Sequence, residues 1–415
     1  MTSREILRRA LNHEPGPVPV DFGSTAVTGM HCSCVADLRS YFGLEKRPVK
    51  VCEPYQMLGL IEDDLLDAIG VDTVGVLPRN SIFGFPNDKW KAWRAPWGQE
   101  LLVSGDFNTV KKGNDIYIFP AGDTTVPASG HMPEGGFFFD TIVRQDPIDE
   151  EHLNPEDNLE EFGPISSADI ERFKTETAKA AASGRGVVAT FGGTGFGDIA
   201  LVPGPFMKHP KGIRDIAEWY MTTASRQDYV HAIFAKQLEY ALENLRRIHA
   251  AVGDNVDTVF LCGTDFGTQS GTFCSPESYL TLWHPYYKRM NDWIHANTAW
   301  KTFKHSCGAV ETFMELFIQS GFDVINPVQC SAKGMDAETL KRKYGSRLVF
   351  WGGGVDTQHV LPFGTPEQVR EQVLQRCAIF AKDGGFVFDA IHNVQAKTPM
   401  QNIAAMINAV KEFNK

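Results

Sequence analysis

The chain repeats one pattern of hydrophobic and polar positions: an apolar, β-branched or aromatic run, a turn rich in Gly, Asp or Asn, and then a stretch with helical periodicity. Such runs predict strands. There are eight of them: Pro17–Phe22, Val71–Val76, Gly186–Phe191, Val256–Cys262, Lys301–Ser306, Phe322–Pro327, Leu348–Trp351 and Gly385–Asp389.

Helical periodicity fills the intervals of the second half of the chain. The predicted helices are Gln227–Ala251, Pro276–Asn297, Ala309–Ser320, Asp336–Tyr344, Pro366–Lys382 and Met400–Phe413. Near-continuous apolar strands separated by helices predict a parallel sheet covered by helices, and eight such units predict a closed α/β (β/α)8 TIM barrel. A doubly wound open sheet shares this alternation, but no G-x-G-x-x-G or Walker sequence follows an early strand, so we favour the barrel.

Two segments interrupt the regular pattern, although the whole chain, residues 1–415, is predicted to be a single barrel domain. Residues 79–163 alternate like strands between Pro/Gly turns, over Trp90–Ala95, Glu100–Val103, Asp115–Phe119 and Gly136–Phe139. This predicts a β-rich insertion near the barrel mouth. Its many aromatic side chains suit a small core of its own or the cap of a pocket. Residues 193–226 form a second irregular stretch, a candidate lid or pocket wall.

Composition narrows the classes of function. With 415 residues, 43% of them hydrophobic, and a net charge of -11 without a long basic run, the chain is typical of an acidic globular protein and not of a nucleic-acid binder. No apolar stretch approaches the roughly 20 residues of a membrane helix. Thr2 and Glu5 form a capping box where a signal peptide would be apolar, so we expect a cytoplasmic protein. Its eight scattered cysteines are expected to be reduced.

Barrel enzymes carry their chemistry at the carboxyl ends of the strands. His305 and Cys307 stand at the end of the fifth strand, and side chains two apart on a strand point to one face, so these two are a candidate half-site for zinc. A chance H-x-C triplet with a packed cysteine is the simpler alternative. Other polar strand ends hold Asp21, Asp265 and Gln269, Asn326, Asp356 and Asp389.

Two ligands alone rarely hold zinc, so a third should come from another strand end. His392, beyond the eighth strand, is the best candidate by residue type, followed by Cys330, Asp265 and Asp356. Three of these also have a structural explanation: His392 as a helix cap, Cys330 as a packed thiol and Asp265 as an acceptor of loop N–H groups.

An ordered set of motifs resembles the uroporphyrinogen decarboxylase superfamily, and its methyltransferase branch more than its decarboxylases. The resemblance is strong over about residues 250–415, weaker over the first 80 and poor in the insertion. The motifs are Thr264–Gln269, Ser275–Glu277, Pro285–Tyr287, His305–Gly308, Asn326–Gln329, Phe350–Gln358 and His392–Gln395.

The resemblance implies a barrel with a zinc site of His-x-Cys plus a late cysteine, working with a corrinoid-bearing partner protein. His305 and Cys307 match the first two positions, whereas His392 stands near the place of the late cysteine. The decarboxylases carry an Arg-rich motif near the N-terminus, and Pro19–Gly23 has no Arg, which disfavours porphyrinogen decarboxylation. No D-x-H-x-x-G motif for ligating a corrinoid occurs, so another protein should bring the cobalamin.

The leading hypothesis is a zinc-dependent methyltransferase (metal ligands His305, Cys307 and His392) that moves a methyl group from a small donor, preferably a methoxylated aromatic, to the cobalt of a separate corrinoid protein. A thiol methylated by the corrinoid, a metal-free decarboxylase or lyase using Asp21 or Asp265, and a non-enzymatic docking subunit remain alternatives. The candidate catalytic or orienting residues are Asp265, Gln269, Asn326 and Asp21, with Asp389 beside them. The helical surface Tyr229–Tyr240 suits a homodimer as well as an ordinary barrel helix.

Overall fold

The computed structural model describes residues 1–159 and 161–415. Its strands alternate with helices as the sequence pattern predicts. The strands are β1 Val49–Glu53, β2 Leu58–Gly59, β3 Thr73–Val76, β4 Lys91–Arg94, β5 Glu100–Val103, β6 Thr109–Lys112, β7 Asp115–Ile118, β8 Gly130–Met132, β9 Asp140–Thr141, β10 Gly186–Ala189, β11 Thr258–Cys262, β12 Lys301–His305, β13 Val324–Asn326, β14 Val349–Trp351 and β15 Phe386–Val387.

The helices cover the outside of the sheet and the amino-terminal ends of its strands. They are α1 Ser3–Leu11, α2 Cys32–Tyr41, α3 Asp63–Ile69, α4 Ser167–Ala182, α5 Ile216–Ser225, α6 Gln227–Val252, α7 Pro276–Leu282, α8 His284–Asn297, α9 Met314–Gln319, α10 Ala337–Tyr344, α11 Val360–Phe363, α12 Pro366–Phe380 and α13 Met400–Phe413. In the described part of the chain, no helix has the length and apolar character needed to cross a membrane.

The parallel sheet curls into a barrel, which confirms the predicted fold class. Within the described residues, seven strands pair in the order β15-β14-β13-β12-β11-β10-β3. The segment predicted as the first strand closes the ring with backbone hydrogen bonds on both sides. The Asp21 N–H donates to the Phe388 carbonyl, the Phe388 N–H donates to the Pro19 carbonyl, and the Asp72 N–H donates to the Val20 carbonyl.

The barrel interior is a small apolar core, because alternate residues of each strand face inward. Its members come from α1 and from five strands: Leu7, Ala10, Leu11, Val188, Phe303, Val324, Val349, Trp351 and Val387. A larger apolar layer fills the space between the strands and the outer helices. Since α1 supplies three of the interior residues, this helix plugs the amino-terminal end of the barrel and leaves the carboxyl end for polar groups.

Three local predictions need correction. Residues 193–226 were expected to be irregular, but Ile216–Ser225 forms the helix α5, because the side chain of Asp215 caps it by accepting the Glu218 N–H. The predicted helix Pro276–Asn297 is two helices that meet at Trp283, because Pro285 lies in the first turn of α8 and cannot donate a helical hydrogen bond. The predicted strand Gly136–Phe139 is irregular. It makes isolated backbone hydrogen bonds to segments distant in sequence instead of a strand ladder; for example, the Phe139 N–H donates to the Tyr55 carbonyl.

The segment 79–163 holds short antiparallel pairs. The strands β4 and β5 extend a sheet with β1 and β2, and β6 to β9 form a second sheet. Most of the aromatic side chains of this segment pack against one another, as Phe83, Phe85, Phe107 and Phe139 do. Its treatment as an insertion within one domain stays a prediction.

Candidate metal centre

Three potential metal ligands meet at the carboxyl end of the barrel. His305 is the last residue of β12, Cys307 follows it by two residues, and His392 lies in the loop after β15. One ligand atom from each lies within 4.8 Å of the others. The Cys307 Sγ is 3.4 Å from His305 Nε2, and the two imidazole rings are 5.3 Å apart between centroids. The sequence had grouped these residues, and the structure brings them together.

The imidazole of His305 is held in one tautomer. Its Nδ1 lies 2.6 Å from Asn326 Oδ1, an oxygen that only accepts hydrogen bonds, so Nδ1 carries the proton and Nε2 keeps its lone pair. The Asn326 amide nitrogen in turn donates to the Trp351 carbonyl at 3.0 Å, which fixes the amide orientation. Asn326 therefore aims His305 Nε2 at the cluster.

The position of Cys307 depends on the loop after β11. The Cys307 backbone N–H donates to Asp265 Oδ1 at 2.7 Å, and the same oxygen is 4.0 Å from His305 Nε2. The next residue, Gly308, has φ of +89°, and a Cβ there would collide with the backbone of Gly267. Only glycine fits this crossing of the two loops, so the turn that presents the thiol is fixed by both chains.

Burial sets the protonation of the cluster. His305 is buried, and burial lowers its pKa to about 4. Burial and the neighbouring His305 lower the pKa of His392 to about 3. Burial and the carboxylate of Asp265 raise the pKa of the Cys307 thiol. Both imidazoles are therefore neutral at physiological pH, the form that binds metals, while the side chains of Cys307 and His392 keep partial contact with solvent.

The other predicted site residues lie in different surroundings. Gln269 is exposed, and its carbonyl accepts the Lys333 N–H. Asp21 is fully buried, and its carboxylate accepts hydrogen bonds from Thr73 Oγ1 and Trp351 Nε1. These bonds tie barrel strands together, and the catalytic roles proposed for both residues stay predictions.

The other candidate side chains at the strand ends also differ in whether they lie near the cluster. Asp389 is buried, its Oδ2 has no hydrogen-bond partner among the described residues, and burial raises its pKa. Of the further ligand candidates, Asp265 lies beside the cluster, whereas Cys330 is not part of it. Asp356 instead accepts the Gln358 N–H within its own loop.

Sequence reasoning missed two residues that hold the site. The Ser306 hydroxyl accepts the Phe266 N–H at 2.9 Å, and the ammonium of Lys304 is buried beneath the two loops. The one available signal was a lysine inside an otherwise apolar strand, which is unusual because an ammonium is costly to bury.

The chain is similar to known proteins at several levels. The family model for uroporphyrinogen decarboxylase (URO-D) matches residues 200–413, slightly more than half of the chain. A relative from Psychromonas ingrahamii named uroporphyrinogen decarboxylase is 28% identical over 106 residues, which are 24% of this chain and 29% of that protein. The matched part thus spans less than a third of that relative.

The whole fold also matches a solved structure. A methyltransferase from Methanosarcina mazei aligns over 100% of both chains with a TM-score of 0.54 and 14% sequence identity, a likeness of fold. The family match over residues 200–413 covers more than half of the chain and contains all three residues of the cluster. The chain belongs to the uroporphyrinogen decarboxylase (URO-D) family.

Proposed function

We propose that this chain is a zinc-dependent methyltransferase that moves a methyl group from a small donor, preferably a methoxylated aromatic, to the cobalt of a corrinoid carried by a separate protein. The observation that carries the proposal is the cluster of His305, Cys307 and His392 at the barrel mouth. The methyltransferase fold of the Methanosarcina mazei protein supports the same branch of the family.

The residues present fit a zinc ion. Two imidazoles and one thiol are preferred zinc donors, and three protein ligands with an open position are typical of catalytic zinc sites. The hydrogen bond from His305 Nδ1 to Asn326 is the kind of outer contact that orients a zinc-bound imidazole. When bound, zinc supplies a Lewis acid for the heteroatom that loses the methyl group.

The chain itself contributes orientation. Asn326 directs His305 Nε2 toward the cluster, and Asp265 holds the backbone at Cys307. Cys307 and His392 keep partial exposure, so a donor can reach the cluster from the solvent side of the barrel. These contacts fix the ligands before the donor binds, which lowers the cost of ordering them during the reaction.

The preference for an aromatic donor rests on the side of the mouth next to His392. There Trp97 and Phe137 stack with centroids 5.2 Å apart, and the His31 ring packs against both. The backbone N–H of His31 donates to the carbonyl of Val394, two residues after His392. In this proposal the ring of the donor would pack against this aromatic group, whereas most other aromatic side chains of residues 79–163 are used in their own core.

Two alternatives stay open to the same test. If the substrate is a thiol, methyl would pass from the corrinoid to sulfur at the same centre. A metal-free decarboxylase or lyase would need no ion, and the name of the Psychromonas ingrahamii relative favours decarboxylation. The two classes differ in whether the cluster must bind metal.

Zinc content therefore tests the proposal. Chelator-washed protein reloaded with zinc is expected to hold about one zinc per chain, and Cys307→Ala to lose it, because a three-residue site cannot spare its thiolate. Cys330→Ala is the matched control and should keep the metal. The same proteins are then assayed for loss of methoxy groups with a corrinoid protein present. If the reloaded wild-type protein holds no zinc, the result would contradict the proposal and favour the metal-free decarboxylase or lyase.

A further inference from the structure

The ammonium of Lys304 is buried in a place where charges are rare. Lys304 lies on β12 between Phe303, which faces the barrel interior, and His305, and its side chain is 0% exposed. The Nζ lies 4.9 Å from the ring centroid of Phe266 and within 6 Å of the rings of Tyr287 on α8 and Phe317 on α9. The charge therefore sits between the sheet and the outer helices.

Backbone carbonyls, and not carboxylates, receive the hydrogen bonds of this ammonium. The Lys304 Nζ donates to the Thr264 carbonyl at 2.5 Å and to the His305 carbonyl at 2.8 Å. Aromatic faces and carbonyl dipoles partly replace the water that the ammonium loses. The carboxylates of Asp198 and Asp265 interact with this charge through space, but within the described residues neither accepts a hydrogen bond from it, so burying the ammonium remains costly.

The Thr264 carbonyl needs a donor because the strand ladder fails at this point. The pairing of β11 with β12 shifts register between Phe260 and Cys262, and Cys262 is the last residue of β11, paired with Lys304. A register shift of this kind leaves backbone groups unpaired. The Lys304 side chain reaches past the end of the ladder and joins the two strands where the backbone no longer does.

Both carbonyls belong to the segments that carry the cluster. Thr264 precedes Asp265, whose carboxylate accepts the Cys307 N–H, and the second carbonyl is that of the ligand His305 itself. The Phe266 N–H to Ser306 Oγ bond is a further link between the same segments. The Lys304 ammonium thus donates to one carbonyl in each of the two segments.

We propose that Lys304 is a positioning residue, whose ammonium fixes the loop after β11 against the end of β12 and so keeps His305 and Cys307 in one arrangement. The value of that arrangement for metal binding rests on the proposed function. The fixing of the two segments does not, because it is a property of the metal-free chain.

The test replaces Lys304 by Met, which keeps the length of the stem and removes the donor. Lys341→Met is the matched control, because Lys341 Nζ also donates to a backbone carbonyl, that of Gly384 at 2.6 Å, at the opposite end of the barrel. Hydrogen exchange of the metal-free proteins is measured by mass spectrometry. We expect faster exchange in peptides that cover residues 258–268 and 300–308 for Lys304→Met alone.

Zinc affinity, measured against a competing chelator, gives the second readout. Lys304→Met should bind zinc about 10–100-fold more weakly than wild type, the usual loss when a contact that orients ligands is removed. Thermal stability should change little, because exchanging a buried charge for an apolar side chain of similar volume is often neutral. Lys304→Gln, whose amide keeps an N–H donor, should fall between the two and serves if the Met variant does not fold.

Three results would contradict the proposed role of Lys304. Exchange as slow as in wild type, exchange that rises throughout the chain, or local loosening with unchanged zinc affinity would overturn the positioning role. If wild-type protein binds no zinc, the proposed function fails, and the local exchange of Lys304→Met still decides whether Lys304 fixes the two segments.

Discussion

The two histidines of the cluster are not equivalent ligands. His305 Nδ1 donates to Asn326, which leaves Nε2 free to bind a metal. His392 Nδ1 instead accepts the N–H of Asn393 at 2.8 Å, so in the neutral ring Nε2 carries the proton. His392 must give up this hydrogen bond or move its proton before it binds, whereas His305 is already in the binding tautomer.

This difference predicts a hierarchy of zinc affinities. His305→Ala should remove stoichiometric zinc, as Cys307→Ala does, whereas His392→Ala should weaken zinc binding about 10–100-fold, an effect of the size seen for supporting contacts. Competition with a chelator measures both variants. Equal losses in the two histidine variants would contradict the argument, and His359→Ala, an exposed histidine outside the cluster, is the control.

The sequence found the parts of the site that follow from periodicity. His305 and Cys307 were recognised because residues two apart at a strand end share a face, and His392 because it follows another strand end. Asn326 and Asp265 were recognised as polar strand ends without their partners. Lys304 was missed because its role depends on a register shift between two strands, which a single strand pattern does not contain.

His31 provides a test of burial at the residue scale. Its Nδ1 accepts the Ser33 N–H and its Nε2 donates to the Phe137 carbonyl, and burial lowers its pKa from 6.5 to about 4. Between these two values the unfolded chain binds a proton that the folded chain does not. The contribution of His31 to stability is therefore complete above 6.5 and is lost as pH falls toward 4.

His31→Asn isolates this contribution, since Asn also caps a helix by accepting a backbone N–H but does not titrate. The stability difference between wild type and variant should shift by about 2 kcal/mol against the wild type between about pH 7 and about pH 5. Urea unfolding at both pH values measures it. A difference that does not change with pH would mean that His31 titrates normally in the folded protein.

Among the elements, those with strong periodicity were predicted well. The barrel strands are buried on both faces and read as apolar runs, and α13 has the predicted bounds Met400–Phe413. The antiparallel strands of residues 79–163 were harder, because short half-exposed strands give weak patterns. There Thr109–Lys112 and Gly130–Met132 were missed and Gly136–Phe139 was wrong, since Phe137 and Phe139 bond to loops instead of strands.

The irregular stretch before α5 is tied to Asp157 and Glu161 by the buried side chain of Arg214. Arg214 is 1% exposed, its Nη1 lies 3.0 Å from Glu161 Oε1, and its Nη2 donates to the Asp157 carbonyl. Asn158 adds two hydrogen bonds with Ile213. The stretch is therefore held at its end by side chains and not by regular structure.

Arg214→Met should loosen this stretch. Removing one partner of a buried ion pair should cost about 3 kcal/mol, the lower end of the usual range, because Glu161 keeps some contact with water. Limited proteolysis should then cut first within residues 193–214, while zinc content is unchanged. Arg246→Met, which breaks the exposed pair with Glu243, is the control, and equal resistance of both variants to protease would refute the role of Arg214.

At the scale of the whole molecule, the packing that stabilises the barrel and the candidate metal centre lie at opposite ends of the barrel. At the amino-terminal end, α1 is anchored by Arg4 and Arg8 to Asp257, which directly precedes β11. Leu7 enters the barrel so closely that a Cβ on Gly186 would overlap it. The candidate metal centre lies at the carboxyl end. Barrels usually separate the two tasks in this way.

Leu7→Ala tests this separation. Leu7 is 0% exposed, and its truncation should cost about 2–5 kcal/mol, since the barrel strands cannot collapse into the space that the side chain leaves. Zinc affinity of the folded fraction should stay at the wild-type value, because the strands between Leu7 and the cluster keep their pairing. Leu280→Ala, an exposed leucine on α7, should change neither quantity. Denaturant unfolding and chelator competition measure the two quantities on the same samples. A parallel fall in zinc affinity would mean that the barrel transmits strain from its plug to its mouth, and the site would then depend on the packing of the whole interior and not on its own hydrogen bonds.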